Sequence, residues 1–194
     1  MTGETRRQIE HILPLAFAFL LPWLSLWQAV ALALLAVAYG LWGSPRLNRS
    51  GVRPEEAARG YSPGKLYYAL SVLALILLFH DRIHVAAGAW AALALGDSVS
   101  NLAGRAWGIR RLPWCDNKTW IGTAAFFLIA WPGMIVLVSW TAAGKSILLP
   151  GPAYVAAACG LAALAAAVVE SLPLAVNDNL TVPASAAAVL ALTF

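Results

Sequence analysis

The hydrophobic pattern of this chain consists of long apolar runs separated by short polar stretches. A helix that crosses ~30 Å of hydrocarbon needs about 20 apolar residues, with a tolerated range of roughly 17–25. Runs of this kind occupy Ile9–Leu24, Ser25–Trp42, Leu66–Phe79, Ile83–Leu102, Thr119–Trp140, Pro152–Leu172 and Leu180–Phe194. The third and seventh runs are short, and only Pro22-Trp23 interrupts the first two. The pattern predicts an all-α, polytopic bundle of about seven transmembrane helices.

Composition supports a membrane protein and excludes several other classes. Of the 194 residues, 61% are hydrophobic and only 11% are charged, whereas a soluble domain has about a quarter charged residues. Cys115 and Cys159 do not have the spacing of metal ligands or of a disulfide framework. The net charge of +4 comes from basic residues in short loops, which does not indicate nucleic-acid binding. We expect a single integral-membrane domain over residues 1–194.

The positions of Lys and Arg predict the orientation of the helices. Because no small-residue cleavage site follows the first apolar run, we expect that run to be retained, with the N-terminus in the cytoplasm. The inside loops then hold eleven of the 13 basic residues: Arg6, Arg7, Arg46, Arg49, Arg53, Arg59, Lys65, Arg105, Arg110, Arg111 and Lys118. The outside loops hold only Arg82 and Lys145. The polar residues considered next fall at the cytoplasmic boundary, where nucleotides are available.

Ionisable and amide residues lie within or beside the fourth apolar run. A charge at the centre of a membrane helix costs roughly 2.5–3.5 kcal/mol, so such residues suggest a functional site. Asp97, Asn101 and Arg105 are spaced by four and share one helical face. A carboxylate and an amide oxygen suit Mg²⁺, and a guanidinium suits phosphate. The alternative is a buried ion pair that tethers helices.

Two later stretches offer complementary groups. Lys118 stands at the start of the fifth run, where its ammonium could meet a phosphate. Glu170, Asp178 and Asn179 bracket a break that contains Pro173. These oxygen ligands would suit a second arm of a metal–nucleotide site, although the stretch could also be a simple polar loop. The case for a site depends on the two regions together.

Several of these residues form motifs of a known family. They are Gly96-Asp97, Gly104-Arg105 and Gly108, then Lys118-Thr119 and Gly122, then Glu170, and last the run Asp178–Pro183, which reads Asp-Asn-Leu-Thr-Val-Pro. With these motifs the chain resembles the CTP-dependent lipid kinases, which include phytol kinase, dolichol kinase and the CTP-dependent diacylglycerol kinase. Arg7 and His11 resemble the Arg-Lys-x-x-His opening of that family, with Gln8 in place of lysine. Trp120-Ile121 stands where the family usually has an acidic residue before the glycine.

The resemblance implies transfer of the γ-phosphoryl group of a nucleotide, CTP in this family, to the hydroxyl of an isoprenoid alcohol or of diacylglycerol. It assigns Mg²⁺ to Asp97 and Asp178. Nucleotide binding is assigned to four side chains, Asn101, Arg105, Lys118 and Asn179. Glu170 would orient or deprotonate the alcohol. The expected partners are the lipid alcohol, the nucleotide and the bilayer, and neither the alcohol nor the oligomeric state follows from the sequence.

Two other functions are compatible with a small polytopic protein. A CDP-alcohol phosphotransferase also places acids at a cytoplasmic helix end, but it expects an Asp-Gly-x-x-Ala-Arg run. Here Ser98 and Asn101 occupy two of those positions, and no second acidic pair follows. A small transporter or lipid-binding scaffold would use the charges as a relay, and inverted repeats, which would favour it, are not evident.

Overall fold

The fold is a helical bundle with one small β-hairpin. The computed structural model of the chain describes residues 10–43 and 58–194. Within these ranges the helical segments are α1 (Glu10–Leu20), α2 (Leu26–Gly43), α3 (Pro63–Leu78), α4 (His80–Trp107), α5 (Trp120–Gly144), α6 (Pro152–Ser171) and α7 (Asp178–Thr193). The prediction of an α-helical membrane protein is confirmed.

In the part of the chain that the structure describes, the lengths of the helices bear on the predicted number of membrane crossings. Three helices, α2, α5 and α6, are long and apolar enough to cross a bilayer, with 18, 25 and 20 residues. Helices α3 and α4 pass the same test only as a pair, and the chain bends by 88° between them. With its 16 residues, α7 extends for about 24 Å, which is shorter than ~30 Å of hydrocarbon. About seven crossings is therefore not confirmed.

The orientation of the N-terminus stays a prediction. Five of the basic residues on which it depends, Arg6, Arg7, Arg46, Arg49 and Arg53, lie outside the described residues. Two of the described basic residues, Arg82 and Lys118, contact opposite ends of α7. Arg82 donates a hydrogen bond to the carbonyl of Ala191, near the C-terminal end of α7. Lys118 pairs with Asp178, which begins α7 and lies about 20 Å from Ala191 along the helix axis.

Helix α4 passes through the centre of the bundle after an exposed first turn, His80–Arg82. Every residue of the next part, Ile83–Ala91, is buried. A Cβ atom added at Gly88 would lie only 2.7 Å from Leu190 and from Val138, so α4 packs closely against both α7 and α5. The absence of a side chain at this position lets three helices meet.

The course of α4 changes just before the predicted site. Residues Ala92–Asp97 form π-helical turns, and a regular α-helix resumes at Ser98. Wide turns of this kind are rare and occur often at functional sites. A Cβ at Gly96 would lie 2.6 Å from the ring of Phe126, so the backbone here is pressed against α5. Asp97 is thereby placed at the end of the wide turn.

A β-hairpin connects α4 to α5. Strands β1 (Arg111–Leu112) and β2 (Cys115–Thr119) pair antiparallel. The indole of Trp114 donates to the carbonyl of Ser171 at 3.0 Å, which ties the hairpin to the end of α6. Thr119 then caps α5, since its hydroxyl accepts the N–H of Gly122 at 3.1 Å. Lys118, one residue earlier, is thus fixed beside the last turn of α6.

Candidate active site

Three acids from three helices converge at one point. Asp97 ends the wide turn of α4, Glu170 lies in the last turn of α6, and Asp178 begins α7. Each offers a carboxylate oxygen, and the three oxygens lie within 4.8 Å of one another. We call these three residues the acidic cluster. Carboxylate oxygens at this spacing are the donor set that hard divalent cations prefer.

Glu170 is the most buried member of the cluster. Its relative exposure is 0%. Its Oε1 accepts hydrogen bonds from Ser100 Oγ at 2.8 Å and from Lys118 Nζ at 2.6 Å. Its Oε2 is buried and has no hydrogen-bond partner among the described residues. An unsatisfied buried carboxylate oxygen is costly, so this atom fits the role of a cation ligand or proton acceptor.

Lys118 bridges two of the acids. Besides Glu170, its ammonium donates to Asp178 Oδ2 at 2.7 Å. Burial alone would lower the pKa of Lys118, but the attraction of Glu170, together with the hydrogen bond and charge of Asp178, outweighs burial and raises this pKa. Lys118 is therefore a stable cation. Lys118 thus brings a positive charge to the cluster, and three carboxylate oxygens so close together would also suit a divalent cation.

Helix ends contribute to the electrostatics of the cluster. Asp178 lies at the N-terminus of α7, where the helix dipole stabilises a carboxylate, and the Asn177 side chain caps the same turn by accepting the Asn179 N–H at 3.0 Å. Glu170 lies at the C-terminal end of α6, where the dipole disfavours a negative charge. The pairing of Lys118 with Glu170 offsets that disadvantage.

A polar cavity of about 420 Å³ opens next to the acidic cluster. Its wall combines donors, acceptors and backbone from α4, the hairpin, α5 and α6. The lining residues are Ser100, Asn101, Gly104, Arg105, Gly108, Arg111, Asn117, Lys118, Thr119, Gly122, Thr123 and Glu170. Three basic side chains and the first turn of α5 thus face one space, an arrangement that favours an anion.

The glycines of this cavity wall allow α4 and α5 to touch. A Cβ added at Gly122 would lie 3.0 Å from the carbonyl oxygen of Ser100 and 3.6 Å from Cα of Gly104. At Gly108 a Cβ would lie 2.7 Å from the Thr119 side chain. The Gly104–Gly108 pair therefore serves close packing, and it leaves backbone exposed to the cavity.

The structure places most of the predicted site residues around this point. Asn101 donates from Nδ2 to the carbonyl of Asp97 at 2.8 Å and to its Oδ1 at 3.2 Å, so the shared face is confirmed. Arg105 and Lys118 line the polar cavity. Asn179 does not line it. Its Nδ2 donates to the carbonyl of Gly64 at 3.0 Å, which ties α7 to α3. Nucleotide binding by Asn179 stays a prediction.

His11 is a residue whose position the sequence did not reveal. Its Nε2 lies 3.6 Å from Asp97 Oδ2 and 3.2 Å from Asn179 Oδ1. The ring also packs edge-on against Tyr68, with 4.4 Å between centroids. In the sequence, only the place of His11 in the N-terminal motif pointed to a role in the site. Nothing in the sequence around Ser100 indicated that its hydroxyl donates to Glu170.

Several plant kinases are similar to this chain over two thirds or more of its length. A probable phytol kinase, chloroplastic, from Triticum aestivum is 30% identical over 196 residues, which cover 92% of this chain and 58% of that protein. A probable phytol kinase 1 from Oryza sativa is 31% identical over 134 residues, or 68% of this chain and 41% of that protein. A farnesol kinase from Arabidopsis thaliana is 27% identical over 179 residues, which cover 88% of this chain and 54% of that protein.

These relatives are longer than the chain. It spans between about two fifths and three fifths of the length of the three relatives named. No protein-family model matches the sequence. No solved structure matches it either.

Proposed function

Because this chain belongs to the family of the phytol and farnesol kinases, we propose that it is a membrane-embedded kinase domain that phosphorylates an isoprenoid alcohol. The main observation in support is the acidic cluster at the edge of a basic, polar cavity. A protein that catalyses phosphoryl transfer must mainly position the reactants and neutralise their charge. The cluster and the cavity supply both within one end of the bundle.

The polar cavity suits the phosphates of a nucleotide. Arg105 and Lys118 would neutralise their charge, and Asn101 would hold Asp97 in place through its two hydrogen bonds. Asp97 and Asp178 would hold Mg²⁺, which supplies charge neutralisation at the phosphates when it is bound. The sequence resemblance favours CTP as the donor.

The acceptor oxygen needs a base or an orienting group. In the transfer, the alcohol oxygen bonds to the γ-phosphorus while the bond from that phosphorus to the leaving nucleoside diphosphate breaks. The hydroxyl proton passes to a carboxylate of the cluster. Glu170 is our candidate, because its Oε2 is buried without a partner among the described residues.

Transfer of label tests this proposal directly. Purified protein in detergent would be incubated with Mg²⁺, γ-labelled CTP or ATP, and farnesol, phytol, a polyprenol or diacylglycerol. We expect labelled isoprenoid phosphate, with CTP preferred over ATP. Label on diacylglycerol alone, or no labelled lipid with either nucleotide, would contradict the proposal.

A further inference from the structure

A second cavity, of about 480 Å³, lies between α1, α2 and α3. Its volume falls within the range of roughly 300–1,000 Å³ found for small-molecule sites. Its wall is apolar along most of its length, with residues such as Leu21, Ala33 and Val72. The ionisable side chains of the wall, Glu10, His11 and Lys65, come from the first turns of α1 and α3. We call this cavity the α1–α3 groove.

The polar end of the groove meets the acidic cluster. His11 lines the groove and lies 3.6 Å from the Asp97 carboxylate. Tyr68, against which His11 packs, accepts a hydrogen bond from the indole of Trp90 at 2.7 Å. The Tyr68 hydroxyl retains its own proton for donation. A ligand hydroxyl at this end would therefore have polar neighbours and a cluster carboxylate close by.

The two cavities approach the cluster through different residues. The polar cavity reaches it through Lys118 and Glu170, and the groove reaches it through His11. They share no lining residue. A charged donor and an apolar acceptor could thus occupy separate spaces whose ends lie at the same carboxylates.

The length of the groove matches one leaflet of a bilayer. Along α3 it extends from Lys65 to Ile76, which is about 16 Å of helix. Half of a hydrocarbon core of ~30 Å is about 15 Å. The rim is open, since Leu13 and Leu35 are each 67% exposed. A chain lying in the bilayer could enter from the side.

We propose that the α1–α3 groove holds the hydrocarbon chain of the isoprenoid alcohol and limits its length, with the hydroxyl beside His11 and Asp97. This proposal rests on the proposed function, and it specifies where the acceptor alcohol lies and which residues limit the length of its chain. The groove is apolar along its length and polar where it meets the acidic cluster. An isoprenoid alcohol has the same distribution.

Three alanines on α2 allow the length limit to be tested. Ala29, Ala33 and Ala36 line the groove and, at spacings of four and three, share one helical face. Ala36 lies towards the polar end, one turn from Tyr39, and Ala29 lies towards the far end. Ala31 is on the same helix, is exposed and does not line the groove. Ala31→Phe is therefore a matched control.

The experiment compares alcohols of 10, 15 and 20 carbons. For Ala29→Phe we expect kcat/KM with geranylgeraniol to fall about tenfold relative to that with geraniol, because the added ring fills the far end. For Ala36→Phe we expect a loss of about tenfold with all three alcohols. Ala31→Phe should leave all three unchanged, and KM for the nucleotide should stay constant in every variant.

Binding of tritiated geranylgeraniol without nucleotide separates this inference from the proposed function. If the wild type binds the alcohol, Ala29→Phe and Ala36→Phe weaken that binding, and no alcohol is phosphorylated, the groove is upheld and the kinase function is wrong. If the wild type phosphorylates alcohols but Ala29→Phe affects every chain length equally, the groove assignment is overturned. Ala36 is exposed, so Ala36→Phe should fold even if Ala29→Phe does not. In that case, geranylgeraniol binding to Ala36→Phe that equals binding to the wild type overturns the groove assignment.

Discussion

Lys118 links two members of the acidic cluster. It contacts Glu170 at 2.6 Å and Asp178 at 2.7 Å. The sequence placed Lys118 at the mouth of the fifth helix, and it lies in β2 just before α5; its contact with phosphate stays a prediction. In the structure it pairs with acids that are far away in the chain, and no local pattern can report such a pairing. The spacing of Asp97 and Asn101 was local, and their contact was therefore predictable.

Removing the Lys118 charge should destabilise the protein. In Lys118→Met the buried Glu170 carboxylate loses its cation, and breaking one side of a buried pair costs about 3–5 kcal/mol. The pKa of Lys118 is raised in the folded protein. The pair therefore contributes fully to the free energy of unfolding below the ordinary lysine pKa of about 10.4, and this contribution is lost only at higher pH. Thermal unfolding in detergent at neutral pH measures the change.

Two further variants control this measurement. Lys145→Met removes an exposed lysine outside the cluster and should leave Tm unchanged. The double variant Lys118→Met/Glu170→Gln should recover part of the lost Tm, since it removes the unpaired charge, but it should not recover kinase activity. A Tm of Lys118→Met equal to that of the wild type would show that the pair does not stabilise the fold.

Helix α4 and its contact with α5 set the geometry of the cluster. Long apolar runs predicted the positions of the helices well, and the run Pro152–Leu172 differs from α6 (Pro152–Ser171) by a single residue. The wide turn at Ala92–Asp97 was not predictable, because it depends on how Gly96 packs against Phe126. The hairpin was missed because its strands are short and polar, with two and five residues.

A methyl group at the α4–α5 contact should disturb the polar cavity. In Gly122→Ala the new Cβ would lie 3.0 Å from a backbone oxygen of α4, so the helices must move apart. Overpacking of this kind costs about 1–3 kcal/mol, which exceeds the gain in helix propensity of up to about 1 kcal/mol. We expect a lower Tm and a higher KM for the nucleotide, measured in steady-state kinetics.

Gly151→Ala is the matched control for that substitution. A Cβ at Gly151 has no heavy atom within 4 Å in the described structure, and this residue precedes α6. Gly151→Ala should keep the wild-type KM for the nucleotide and lose only a little Tm, because Gly151 is the N-cap of α6 and alanine is a poorer N-cap than glycine. If both alanine variants behave alike, the close contact of α4 and α5 does not shape the nucleotide site.

The whole molecule combines an apolar groove and a polar cavity at one end of a helical bundle. The sequence predicted the membrane class and the gathering of polar residues. It did not reveal the groove, because three helices must pack before the groove exists. The predicted number of crossings is not confirmed, because among the described residues α3 and α4 qualify as a span only as a pair, with an 88° bend between them that a hydropathy run does not report. Which membrane face carries the cluster is still a prediction from the basic residues.

Labelling of single cysteines tests that orientation. In a background without Cys115 and Cys159, Asn117→Cys would mark the hairpin and Lys145→Cys the opposite end of α5. The 25 residues of α5 extend for about 37 Å, which is enough to cross ~30 Å of hydrocarbon. An impermeant maleimide should label Asn117→Cys only from the cytoplasmic side and Lys145→Cys only from the other. The reverse pattern would place the cluster away from cytoplasmic nucleotides.

We propose that the acidic cluster supports phosphoryl transfer to an isoprenoid alcohol. The most direct measurement compares Asp97→Asn with Asp116→Asn in phosphorylation of farnesol or phytol by labelled nucleotide and Mg²⁺. Asp116 is an exposed acid of the hairpin and is not part of the cluster. Metal-assisted charge stabilisation is worth several kcal/mol, so Asp97→Asn should lower kcat/KM by about a hundredfold or more, while Asp116→Asn retains the wild-type value. Equal activity of the two folded variants would contradict the account.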